Sequence, residues 1–324
     1  MVPPMGREVA AAATLTVDHD AYLGRVCGDG FAVMSPAGVI TVVDSRLRVV
    51  RRLDLGDPVA DLSISDNRWA WVVGARLWIG DPAGGGVSTP LAGPAACRWS
   101  PSGHGLWVAS GTGDHVRVEL RTPDGQTTRA VTVPDSFGDS AVRLRHHPHA
   151  DTVVLWITAG QDGQQSWLVH DDGTALTAAH LPADNCLPTM FGPDGDWLLA
   201  AGDDGVVMRS WPDRVELRAL RWADIDPDAA EHGTDTPGDC LMSLPGGFAS
   251  WSTDKGRLHT IDLVTMTAID EIALAGHPTR TVDNTLCSDF TYAVPHSNAT
   301  VLSVHGQSTL MLSALRDWSP NPDR

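Results

Sequence analysis

The chain has 324 residues, 42% hydrophobic and 19% charged, which supplies a sizeable core and excludes global disorder. Its formal net charge of −17, from 23 basic and 40 acidic residues, argues against a nucleic-acid backbone or an anionic membrane surface as partner. Basic peptides, cations and amine-bearing ligands fit the charge, as does plain solubility.

Five cysteines form no C-x-x-C pair, and the chain is too large to need disulfide staples. Reduced, buried thiols in a cytoplasmic protein are the expectation. The alanine run from Ala10 to Ala13 is too short and too poorly flanked for a signal peptide, and no apolar run reaches the roughly 18 residues that would span a membrane.

One unit recurs along the chain. Its clearest form is Met190 to Trp211: a Gly192-Pro193-Asp194-Gly195 turn, an apolar run, a second turn Gly202-Asp203-Asp204-Gly205, and another apolar run. Two turns in so short a span leave room for strands and none for helices. In chain order the copies start at Gly28 (to Leu55), Ser63 (to Asp81, with a turn at Gly84 to Gly86), Trp99 (to Gly125), His146 (to Gly173), Met190, Ser243 (to Leu274) and Ser288 (to Leu315). Each supports a meander of four strands, and the spacing is that of a propeller blade. A two-sheet sandwich is the rival architecture, but a sandwich needs no repeated turn motif, whereas a ring of equivalent blades does.

Residues 38 to 66 resemble the bacterial YVTN-type repeat, with a V-x-V-x-D-like strand end and Leu55-Gly56-Asp57-Pro58 leading into the next turn. Leu274-Ala275-Gly276-His277 followed by Val282 is similar to the Gly-His element of WD40 repeats, and Thr260-Ile261-Asp262 sits where those repeats place Trp-Asp. The resemblance implies an all-β fold, a seven-bladed β-propeller of four-stranded antiparallel blades, and a role in binding partners. The propeller is expected over residues 13–316 as a single domain, between tails at 1–12 and 317–324. The strand-like Ala13 to Val17 is expected on the outer edge of the last blade, because an unpaired edge is a liability.

An aspartate recurs ahead of the innermost strand in every copy but the third, which has Gly93-Pro94: Asp20, Asp57, Asp139, Asp184, Asp239 and Asp283. In a propeller these crossings surround the mouth of the central channel. The carboxylates there either cap turn N–H groups, as Asx turns do, or form an acidic collar. An enzyme using that mouth, of the lactonase, lyase or cyclase kind, would draw on Asp57, Asp139, Asp184 and Asp239 for metal or base chemistry and on His277 for proton transfer. No nucleophile elbow, P-loop or dinucleotide fingerprint is present, and no cofactor is expected.

The insertion from Trp222 to Asp239 carries Asp224, Asp226, Asp228, Glu231 and Asp235. Four of these match positions of a calcium loop, but Ala229 stands where that loop requires glycine. The segment is expected to be an acidic recognition loop for a protein or basic peptide, with a small-molecule ligand at the mouth also permitted. His146, His147 and His149 form the one metal-like cluster; strand alternation would send His146 and His147 to opposite faces and spoil a shared site. Tryptophans 71, 107, 156, 197 and 251 are expected as core on second strands, with Trp78, Trp211 and Trp222 available to line a surface.

Overall fold

A computed structural model describes residues 7–9, 11–19, 21, 23–66, 68–138, 140–159, 163–181, 186–202, 205–225, 242–244, 247–252, 257–262, 264–274, 279–282, 285–288, 290–296, 300–305 and 308–314. Two short N-terminal strands, β1 (Arg7–Val9) and β2 (Ala11–Thr16), precede the repeats. The first copy forms a sheet of β3 (Leu23–Cys27), β4 (Gly30–Met34), β5 (Val39–Val43) and β6 (Val49–Asp54) in that order. The second is β7 (Val59–Ser65), β8 (Arg68–Val73), β9 (Arg76–Asp81) and β10 (Gly85–Pro90). The third is β11 (Ala95–Trp99), β12 (Leu106–Gly111), β13 (His115–Arg121) and β14 (Thr127–Pro134). The fourth is β15 (Ala141–His146), β16 (Thr152–Thr158), β17 (Gln164–Asp171) and β18 (Leu176–Leu181). The fifth is β19 (Cys186–Phe191), β20 (Trp197–Gly202), β21 (Gly205–Ser210) and β22 (Glu216–Arg221), followed by a helical turn, α1 (Trp222–Ile225).

The later copies depart from the simple meander. The sixth is β23 (Met242–Leu244), β24 (Gly247–Ser252), β25 (Arg257–Asp262) and β26 (Thr267–Leu274), and β1 adds a fifth strand parallel to β26. Residues 7–9, assigned to a tail on sequence, are therefore strand. A separate hairpin, β27 (Thr279–Val282) and β28 (Thr285–Ser288), comes next. It holds Cys287. The last copy supplies three strands, β29 (Phe290–His296), β30 (Thr300–His305) and β31 (Thr309–Ala314). The fourth comes from the far end of the chain: β2 pairs antiparallel with β31, with Leu15 opposite Leu310 and Thr16 opposite Thr309. The N-terminal strand thus occupies the outer edge it was expected to cover.

By contacts the chain groups into two compact units, one of Met1–Ser35, Thr41–Arg51 and Leu198–Arg324, the other of Pro36–Ile40 and Arg52–Trp197. In the first unit, β2 alternates half-buried and exposed side chains. Ala13 and Leu15 pack on Phe31, Val33, Val43, Leu47, Leu302 and Leu310. In the second unit both faces of the third sheet are covered. Ala95, Cys97 and Trp99 pack with Ala70, Val72 and Leu77 of the second sheet. Ala96, Trp107 and Val118 pack with Val142, Leu144 and Leu155 of the fourth. This two-sided covering is why β11 and β12 are buried at every position instead of alternating. Each fully buried leucine or isoleucine in these layers contributes about 1.5–3 kcal/mol. Outer strands such as β10 and β22 are mostly solvent-facing.

A four-stranded antiparallel sheet takes the chain in and out at the same end. The crossings from β6 to β7, β10 to β11 and β14 to β15 therefore share an end with the hairpins β8–β9, β12–β13 and β16–β17.

Candidate functional site

Of the recurring aspartates, only Asp57 lies within the described residues; Asp20, Asp139, Asp184, Asp239 and Asp283 lie outside them, as does His277. Asp57 is exposed in the crossing from β6 to β7. Its backbone presses on the β4–β5 hairpin: a Cβ on Gly38 would sit 2.2 Å from the Asp57 carbonyl oxygen, and Gly38 has φ +85°. Only glycine fits that contact, so the crossing is pinned to the hairpin beneath it. The Asp54 carboxylate, three residues earlier, accepts the Gly56 N–H at 3.0 Å. In the corresponding β14–β15 crossing, Asp135 accepts the Phe137 N–H at 2.9 Å and the Ser140 hydroxyl at 3.1 Å. The turn-capping carboxylates of these two crossings are thus Asp54 and Asp135, each a few residues ahead of the position the repeat pattern singled out.

The acidic insertion starts from a fixed post. Trp222, which had been a candidate surface residue, is buried, and its indole N–H donates to the Gly202 carbonyl at 2.8 Å. Two residues on, Asp224 is exposed at the helical turn and takes a bidentate pair of hydrogen bonds from Arg221, both 3.1 Å. Those bonds hold the Asp224 carboxyl below the usual carboxylate range. Asp226, Asp228, Glu231 and Asp235 lie outside the described residues.

The histidines separate as alternation requires. His146 ends β15 with its ring exposed, whereas His147 is buried. Nδ1 of His147 accepts the backbone N–H groups of His149 and Ala150 at 3.1 and 2.9 Å. That fixes the proton on Nε2, which donates to the Gly195 carbonyl at 2.8 Å. His149 bonds through Nε2 to the Pro193 carbonyl at 2.8 Å. His147 and His149 are therefore a clamp between the turns that follow β15 and β19, and His147 has no nitrogen left to ligate a metal. The clamp demands glycine at 195: its φ is +75°, and a Cβ there would meet His147 Cε1 at 2.3 Å. Among the described residues, no three of His, Cys, Asp and Glu are grouped to hold a metal ion.

His146 is in a different setting. Although solvent reaches its ring, the surrounding protein and the charges of Arg98 and Arg145 lower its pKa to about 4.

The strongest polar set in the described structure was missed on sequence. Asp61 of β7 is buried; its Oδ2 accepts the Cys97 N–H at 2.9 Å and Arg98 Nη1 at 2.7 Å, and its Oδ1 accepts the Leu62 N–H at 2.9 Å. Two residues on, the Ser63 hydroxyl accepts the Trp99 N–H at 2.9 Å. The inner strand of the second sheet thus satisfies amides on the free edge of the next inner strand, 36 residues along in each case. Glu119 and Arg121 form another buried pair on β13. The available signal was a carboxylate inside an otherwise apolar strand, VADLSIS, one repeat length from a buried arginine. Cys97 itself is inert core, its thiol bonded to the Ala70 carbonyl at 3.5 Å, and burial raises the Cys27 thiol.

No family profile matches the sequence, and no curated protein is detectably similar to it. Among solved structures, the chain is similar to the β-propeller domain of Myceliophteria thermophila Cps50 (Swd1), with a TM-score of 0.66 and 10% identity over 94% of this chain and 99% of that one. It is also similar to the computationally designed Ika8 protein, with a TM-score of 0.58 and 13% identity over 96% of this chain and 100% of that one. At such identities the likeness establishes the fold alone, and together with the repeated four-stranded antiparallel sheets that fold is a β-propeller.

Proposed function

We propose that the protein is a non-catalytic docking scaffold whose acidic crossings and insertion capture a protein or basic peptide in the cytoplasm. The β-propeller is a fold commonly used as a scaffold for protein–protein interaction, and it fixes no chemistry by itself. The reading takes residues 13–316 as one ring of seven blades with the acidic crossings around a common channel mouth.

The observation that carries it is what the described polar side chains do. Asp61, Arg98, His147, His149 and Asp135 spend their hydrogen bonds on backbone groups and on each other, joining strands and turns. The acidic insertion leaves the fifth sheet from the anchored Trp222, and there Asp224, although bonded by Arg221, is exposed to solvent. A charged loop carried on an ordered scaffold suits recognition, because the scaffold does not have to be ordered on binding.

The test is charge reversal of Asp224, Asp226 and Asp228 to arginine in the full-length chain, followed by affinity capture from the native cell extract. The captured set should lose its basic members while the thermal midpoint stays unchanged. An identical set from both proteins overturns the proposal.

A further inference from the structure

The sixth sheet is complete as a meander of β23 to β26, yet it carries a fifth strand. β1 lies parallel on the outer edge of β26, with Arg7 opposite Ile272, Glu8 opposite Ala273 and Val9 opposite Leu274. Only Ala10 separates β1 from β2, but the two strands are held very differently. β2 pairs antiparallel along β31 from Ala11 to Thr16, and its Ala13 and Leu15 pack against buried apolar residues of the first unit. β1 is three residues long and sits in a parallel ladder, the less stable kind per residue. It can therefore leave its edge while β2 keeps its own.

The edge beneath β1 has a defined extent. Thr260 stands opposite Asp270 and Ile261 opposite Ala268, so Ile269 is an extra residue and a bulge divides β26. A bulge ends pairing along an edge, whereas the regular stretch beyond it, Asp270 to Leu274, is a template for an added strand. β1 covers the last three positions of that stretch; among the described residues, no strand pairs with Asp270 and Glu271 on this side. The helical turn α1, where the acidic insertion begins, lies against the same β26.

We propose that the outer edge of β26, from Asp270 to Leu274, is a strand-addition site for an extended basic peptide of a protein partner, and that β1 is its resident, displaceable occupant. The inference rests on the docking reading and gives it a place and a mode. Main-chain hydrogen bonds hold the peptide in the parallel register that β1 uses. The preference for a basic segment follows from sequence and position: Asp270 and Glu271 lie on the edge strand itself, beside the start of an aspartate-rich insertion, in a chain of net charge −17. While β1 is seated the site is closed, so affinity is reduced by the fraction of time it spends there. β2 keeps the N-terminal chain attached to the last sheet throughout.

Two measurements test this. In the full-length protein, hydrogen exchange read at residue level should show the Arg7–Val9 amides exchanging about tenfold faster or more than those of β2; equal rates overturn the idea that β1 opens by itself. A fluorescein-labelled peptide with the sequence of residues 5–12, MGREVAAA, is then titrated by anisotropy into the full-length protein and into a variant lacking residues 1–9. Expected are saturable binding to the shortened chain, binding several-fold weaker to the intact one, and tighter binding of the peptide carrying Glu8→Lys. No saturable binding to a shortened chain of unchanged thermal midpoint overturns the site, and so does equal binding to both chains. A lysine peptide that binds no tighter overturns the assignment to basic segments. If the shortened chain is destabilised, the exchange rates of the intact protein decide. Charge reversal at Asp224, Asp226 and Asp228 leaves Asp270 to Leu274 untouched, so loss of basic partners there without peptide binding here rejects this edge and keeps the docking reading.

Discussion

Replacing Asp61 with alanine strips one carboxylate of several duties at once. It leaves the Arg98 guanidinium buried without its counter-charge and orphans the Cys97 and Leu62 amides. Removing one partner of a buried ion pair costs about 3–5 kcal/mol, and an unsatisfied buried amide accounts for about 1–3 kcal/mol of such a loss. Because these terms overlap, about 4 kcal/mol is expected for the single variant. Equilibrium urea unfolding followed by tryptophan fluorescence reads this directly, since Trp99 adjoins Arg98 on β11. The decisive comparison is the double variant Asp61→Ala with Arg98→Met. If the penalty comes mainly from a stranded charge, removing that charge restores about 2 kcal/mol, and the double variant is more stable than Asp61→Ala alone. A cost below about 1 kcal/mol for the single variant, or a double variant no better than it, refutes the view that Asp61 is the electrostatic keystone between β7 and β11.

Further outcomes are expected. A chain lacking residues 1–16 loses the strand paired with β31 and the Ala13 and Leu15 packing on Phe31 and Leu310; light scattering should show self-association through the bared β31 edge, and a monomer of unchanged thermal midpoint would contradict this. Gly195→Ala forces a Cβ into the His147 ring at a positive φ, and should cost about 2 kcal/mol or more in urea unfolding, whereas zinc should leave the thermal midpoint of the unaltered protein where it is. His146, ordinarily titrating near 6.5, is held at about 4 in the folded chain; between those values the unfolded chain binds a proton that the folded chain does not, so stability falls as pH drops through that window. His146→Gln should flatten that slope in pH-dependent unfolding. Asp44 and Asp172, both lowered to about 2 by hydrogen bonds from their own turns, act in the next window down: their contribution is present above the usual carboxylate range and is lost as pH falls toward 2.

The turn signals were legible because they are local. Gly192-Pro193-Asp194-Gly195 closes on itself through the Gly195 N–H to Gly192 carbonyl bond at 3.0 Å, and Ser100-Pro101-Ser102-Gly103 does the same at 2.8 Å. Such contacts depend on residues three apart, so residue type alone specifies them. Three of the tryptophans on second strands were legible too, since a large apolar side chain midway along a doubly covered strand has only the interior to occupy: Trp71, Trp107 and Trp156 are buried, whereas Trp197, at the start of its strand, is half-buried. Repetition carried the argument from these local signals to the fold.

What residue type could not specify was pairing over long separations. The last sheet takes its fourth strand from Ala11–Thr16, β1 lies parallel on β26, and Thr285–Ser288 pairs with Thr279–Val282 instead of heading the final meander. Each choice is made by which edge remains unpaired once the chain has collapsed, a quantity no window of sequence contains. The same holds for chemistry. His146, His147 and His149 read alike as a cluster, yet packing gave His147 and His149 to the turn of the next sheet and left His146 exposed at the end of β15. Asp61 and Arg98 looked unremarkable apart, and only the side-by-side packing of β7 and β11 made them a buried pair. Local turn chemistry and apolar patterning belonged to the sequence alone; strand partners and the roles of its charged groups were decided by the tertiary structure, because they depend on what each group meets when water is removed.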